Sequence, residues 1–123
     1  ALDTACQVRQ VLKPGGKCII AVPNCEAPDA RRYGRFWAAW DVPRHLWHFS
    51  TQSFRVFSDK GGFILEKEHK LLIDVFYISY LSRKYMGASL PFISGILRAI
   101  PWFIQTLSDS KKASSQIFIL RKP

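Results

Sequence analysis

Leu12-Lys13-Pro14-Gly15-Gly16-Lys17 runs without a break into the apolar stretch Cys18-Ile19-Ile20-Ala21-Val22, and that stretch halts at Pro23-Asn24. Proline disrupts a helix interior and paired glycines favour a turn, so any preceding helix ends here. An apolar run of this length between two turn signals predicts a strand over Lys17 to Val22. Its lack of polar alternation predicts cover on both faces. Ahead of it, Leu2, Cys6 and Val8 to Leu12 predict a helix of rough periodicity that ends at Leu12. Helix, turn and buried strand in that order belong to an open α/β sheet, where ligands bind past the carboxyl ends of strands. The residues after Val22 are therefore the place to look for a site.

Residues 24 to 50 read as a long loop with one helical turn around Ala30 to Phe36, and long ordered loops in compact domains act as lids or binding loops. Thr51 predicts the cap of a helix over Gln52 to Lys60, with Phe54 and Phe57 turned inward and Gly61-Gly62 ending it. Phe63 to His69 then alternates imperfectly, as a partly exposed strand near a sheet edge does. Gln116 to Leu120 predicts a last strand returning antiparallel to it.

Between these last two strands, residues 71 to 112 form a hydrophobic inserted segment. Leu71 to Leu81 falls short of the ~20 residues a bilayer span needs. Met86 to Leu107 has Arg98 as its single charge but is interrupted by Pro91, Gly95 and Pro101, which predicts helix pieces broken at the prolines. Two uses are open: a lid over the sheet, or attachment to a membrane surface with Arg83, Lys84, Lys111 and Lys112 against anionic headgroups.

A hydrophobic content of 48% excludes a disordered chain. Eighteen Lys and Arg against nine Asp and Glu give a formal net charge of +9. That balance favours nucleic acid, phosphorylated substrates or anionic lipid, or it marks a half domain whose acidic residues lie elsewhere. Cys6, Cys18 and Cys25 make no C-x-x-C pair and have no matching histidine spacing, so no metal site is expected. Cys6 and Cys18 read as small core hydrophobes, and Cys25 lies near the expected site. An odd cysteine count without a signal peptide fits a cytoplasmic location, with or without membrane association.

In order and spacing, Leu12-Lys13-Pro14-Gly15-Gly16, the strand, Pro23-Asn24, Asp41-Val42-Pro43-Arg44-His45-Leu46 and Gly62-Phe63 resemble the later half of the class I S-adenosylmethionine-dependent methyltransferases, of the ubiquinone-biosynthesis-methyltransferase-like kind. The resemblance implies an α/β fold, the carboxyl-terminal portion of a Rossmann-like seven-stranded sheet. Strands five, six and seven with flanking helices would fill residues 1–123 as part of a single domain. It places the last strand between the fifth and sixth, and implies S-adenosylmethionine as cofactor with a small-molecule or lipid-like acceptor. The family's Gly-rich loop after its first strand, and the acidic residue ending its second, have no counterpart here. The expectation is a fragment, inactive alone, of an enzyme with roughly a hundred more residues upstream. Its fifth strand would show an unpaired edge prone to self-association. The alternative is a basic noncatalytic module docking on membrane or nucleic acid.

Within this resemblance the chemistry falls to the loop. Asn24, Trp40, Asp41, Arg44 and His48 are the candidate acceptor-binding residues. His45 is the candidate base, since an ordinary histidine titrates near pH 6.5. The structural counterparts are these: the turn from Asp41 to His45 braces the loop, with Asp41 accepting hydrogen bonds from backbone groups or Arg44, Asn24 caps a turn, and His48 points elsewhere. Trp37, Trp40 and Trp47, with Tyr33, Phe36 and Phe49, either wall a flat apolar pocket or form core. Arg31, Arg32 and Arg35 interleave with Tyr33 and Phe36 in a pattern that suits base stacking, but no recognisable nucleic-acid module surrounds them, so nucleic acid is not the expected partner.

Overall fold

A computed structural model describes all of residues 1–123. It is a mixed α/β fold of five helices, α1 (Leu2–Val11), α2 (Pro28–Tyr33), α3 (Thr51–Lys60), α4 (Asp74–Tyr85) and α5 (Pro91–Ser108), around three strands, β1 (Lys17–Pro23), β2 (Ile64–Leu71) and β3 (Ser115–Arg121). The sheet order is β1-β3-β2 with β3 antiparallel to both neighbours, so β1 and β2 run parallel on either side of it. Ile119 pairs with Ile19 on one side and Lys67 on the other. A shift in register between Leu65 and Lys67 frees Glu66, whose carboxylate meets Lys17 at 2.7 Å and Arg121 at 2.8 Å.

Helices α1 and α3 pack on one face of this sheet. Ala5, Phe54, Phe63, Phe118 and Leu120 form the buried centre, with Val8, Leu12, Cys18, Ile20 and Phe57 against it. Phe54 stacks on Phe118 with ring centroids 3.8 Å apart, and full burial of each such side chain contributes about 1.5–3 kcal/mol. The opposite face of β1 lies open: Lys17, Ile19 and Ala21 are exposed, Ile19 to 68%. Cover on both faces, expected from the apolar run, is therefore corrected, because no element of this chain lies over Ile19. Cys6 is corrected likewise. It faces solvent on α1, one residue past the buried Ala5.

The Pro14-Gly15-Gly16 turn is held by Lys122, the residue after β3. Gly15 N–H donates to Lys122 O, Lys122 N–H donates to Gly16 O, and Lys122 Nζ donates to the carbonyls of Arg9 and Leu12 at the end of α1. A cation there satisfies carbonyls that the helix itself leaves unpaired. At α3 the cap is Ser50, one residue before the expected Thr51. Ser50 Oγ accepts from Ser53 N–H while Ser53 Oγ accepts from Ser50 N–H. Thr51 is drawn away because its hydroxyl donates to Gln116 Oε1 at 2.8 Å inside the fold. Gly61 ends the helix and Gly62 follows at φ 73°, a conformation glycine adopts without strain.

The segment after β1 is more regular than a loop with one turn. It contains α2, two 3-10 turns over Gly34–Phe36 and Ala38–Trp40, and a bridge from Asn24 to Phe49. Ala27, Ala30, Tyr33, Trp37, Ala38 and Ala39 make a second core with Ile78 of α4, and Trp102 of α5 packs against it. Helix α5 is not broken at its prolines: Pro91 opens it, where a missing N–H costs nothing, and Pro101 lies inside an uninterrupted 18-residue helix. Pro101 is exposed, so water can take the carbonyl that its absent N–H leaves free.

Candidate functional site

Past the carboxyl end of β1 lies an open cleft of about 250 Å³. Its floor is Ala21, Val22 and Pro23 of β1 with Leu71 of β2 and Ser115 of β3, and its walls are the Ala38–His45 segment and helix α4. The position follows from topology, because β1 and β2 are parallel and β3 runs the other way between them. Their carboxyl ends and the start of β3 therefore share one edge of the sheet.

Three of the residues expected at a site meet there. Asp41, in the left-handed conformation at φ 41°, accepts from Arg44 Nε and Nη2 through one oxygen at 3.2 and 2.8 Å. Hydrogen bonding and charge from Asp41 raise the Arg44 guanidinium further above its already high range. His45 is half-buried, with Nδ1 3.5 Å from the Ala39 carbonyl, the outer limit of a hydrogen bond. With the proton on Nδ1, Nε2 keeps a lone pair.

The other three expected residues lie outside the cleft lining. Asn24 is 2% exposed. Its amide donates to the carbonyls of Lys111 and Ala113 at 2.8 and 3.0 Å, which ties the end of β1 to the segment before β3, and its oxygen accepts from Glu26 N–H in a local turn. Trp40 donates to Gly34 O at 2.8 Å and packs edge-on against Trp37 and His48. His48 Nε2 is 2.8 Å from Trp40 O. Trp37 is core, Trp47 is 62% exposed, and Tyr33 and Phe49 are packed in the two cores, so the aromatics do not wall a pocket.

Helix α4 contributes side chains that sequence reasoning missed. Asp74, Tyr77, Ile78, Leu81 and Tyr85 all line the cleft. Asp74, Ile78, Leu81 and Tyr85 recur at three- and four-residue intervals with Tyr77 beside Ile78, the signature of one helix face, and that periodicity is present in the sequence. Ser115 donates a hydrogen bond to Asp74, and both residues line the cleft. None of the three strands is followed by a Gly-rich loop.

No protein-family model matches the chain, and no curated protein matches it. Among solved structures, the whole chain aligns with 30% of Haemonchus contortus phosphoethanolamine N-methyltransferase 2, solved with phosphomonomethylethanolamine and S-adenosylhomocysteine, at a TM-score of 0.48 and 16% identity. The chain thus spans less than a third of that protein.

Proposed function

We propose that these residues are the carboxyl-terminal part of an S-adenosylmethionine-dependent methyltransferase, and that the cleft past β1 receives the methyl acceptor, a small or lipid-like molecule. The observation that carries this reading is the convergence of Asp41, Arg44 and His45 on the cleft at the carboxyl end of β1, in a sheet ordered β1-β3-β2 as the family resemblance implies. In the whole enzyme β1 is the fifth strand, its free edge adjoins the fourth, and the cofactor is held by upstream residues. When bound, S-adenosylmethionine supplies a methyl group on a sulfonium.

The chain's own residues act on the acceptor. The apolar lining from Val22, Ile78 and Leu81 excludes water from one side of the cleft. Arg44, 81% exposed at its side chain, offers the N–H groups not spent on Asp41 to an acceptor carboxylate or phosphate. His45 Nε2 takes the proton that a hydroxyl or amine acceptor loses as its oxygen or nitrogen attacks. Asp41 positions Arg44 and so acts through it.

Sequencing the native transcript upstream of Ala1 is the first test. A strand leading into a Gly-rich loop, then an acidic residue ending a second strand, is expected, and an initiator codon directly before Ala1 would overturn the proposal. In the protein carrying those upstream residues, His45→Gln should lower kcat for methyl transfer about 10²–10⁴-fold, the usual contribution of a general base. An unchanged kcat would remove His45 from that role.

A further inference from the structure

Helix α5 is turned inside out. Its buried side is made of small or polar residues, Gly95, Ala99 and Thr106, and Gly95 sits so close to α4 that a Cβ there would be 2.7 Å from Tyr80 Cα. Its large aliphatic side chains face the other way: Ile93, Leu97, Ile100, Ile104 and Leu107 are 55, 62, 42, 58 and 52% exposed. At 100° per residue these five fall within about 80° of arc, and they extend about 21 Å along the axis. Leu90, 64% exposed, continues the stripe past the helix start. Isolated surface leucines need no explanation, but a continuous stripe does.

The surrounding charges select the occupant. From Val75 to Ser108 there is no Asp or Glu, whereas Arg83, Lys84 and Arg98 are present. Just past α5, Lys111 and Lys112 join Arg31 around an open hollow in which Glu26 is the one acidic group. No helix is long and apolar enough to cross a membrane. An apolar stripe on an acid-free helix, with Lys111 and Lys112 just beyond Asp109 at its carboxyl end, suits a helix lying in the plane of an anionic bilayer, with aliphatic side chains among the acyl chains and Lys among the phosphates.

We infer that α5 is a membrane-surface docking element for anionic phospholipid, seated through Ile93, Leu97, Ile100, Ile104 and Leu107 and held by Lys111 and Lys112. This is independent of the methyl-transfer proposal and would stand if that failed.

The test is cosedimentation of the 123-residue chain with vesicles of phosphatidylcholine alone and of phosphatidylcholine mixed with phosphatidylglycerol, at low and high salt. Binding to the mixed vesicles, weakened by salt, is expected. Leu97→Glu with Ile104→Glu should weaken it about tenfold or more, since both positions enter the apolar layer. Both side chains are exposed, and circular dichroism checks that the helices persist; if Glu unfolds the chain, Ser at both positions takes its place. No binding to mixed vesicles at low salt overturns the inference, as does binding that the paired substitution leaves unchanged. Sedimentation velocity without lipid in which the pair converts a dimer to a monomer would instead assign the stripe to a second copy.

Discussion

Trp37 donates its indole N–H to Asp29 Oδ2 at 2.7 Å, and both side chains are shut off from solvent, at 1% and 0% exposure. Asp29 Oδ1 and the neighbouring Ser114 Oγ are buried as well, without a well-aligned partner. Burial pushes the Asp29 carboxyl above its ordinary 3.8, against the opposing pull of Trp37 and Ser114. An acid with a raised folded pKa favours the folded state while it is protonated. Its contribution is full below 3.8 and is lost as pH rises through the folded value. Asp29→Asn should flatten that fall, since an amide can accept from Trp37 and donate to Ser114. Urea midpoints from about pH 4 to about pH 8 measure it, and a slope equal to that of the parent chain would refute the assignment. Trp37→Phe leaves the carboxyl without its donor and should cost about 1–3 kcal/mol beyond the lost packing.

Gly95 is required by contact rather than by backbone conformation. Gly95→Ala places a methyl within 2.8 Å of Tyr80 N, and backbone cannot give way as a flexible side chain does. The expected loss is about 1–3 kcal/mol from overpacking, read as a lower urea midpoint. A stability gain, as helix propensity alone would predict, would mean that the two helices can separate slightly at no cost.

Ser50→Ala should destabilise the chain by about 1 kcal/mol through loss of the reciprocal bonds with Ser53. Thr51→Val tests a different bond, the one to Gln116, and should cost a similar amount because it leaves a buried amide oxygen unpaired. Thermal unfolding of the two single variants and the pair separates the effects. Additive losses are expected from the two distinct bonds.

Arg44→Ala should leave stability within about 0.5 kcal/mol, since the Asp41–Arg44 pair is solvent-exposed on the arginine side. Conserved melting combined with weaker acceptor binding would fit a residue that recognises ligand. A large drop in melting temperature would instead make the pair a brace for the Ala38–His45 segment.

Local chemistry reached the sequence level wherever a signal was confined to a few neighbours. Pro14-Gly15-Gly16 ended α1, the apolar run made β1, Gly61-Gly62 closed α3, and Gln116 to Leu120 lay within β3, because turn residues and short apolar runs act through their own backbone. Of the residues expected together after β1, Asp41, Arg44 and His45 line one cleft, whereas Asn24, Trp40 and His48 do not. Tertiary structure decided what depends on distant partners. Thr51 is not a cap because Gln116, 65 residues away in sequence, takes its hydroxyl, and Asn24 is spent on carbonyls 87 and 89 residues downstream. Pro101 stays within a helix because its exposed position leaves room for water, and β1 is open on one face because nothing in this chain covers Ile19. Most revealing is α5: the sequence determined that it is hydrophobic, but only its packing against Tyr80 through Gly95 decided that its large aliphatic side chains point outward. Close approach of two helices requires small residues at the contact, which leaves the larger side chains on the opposite face.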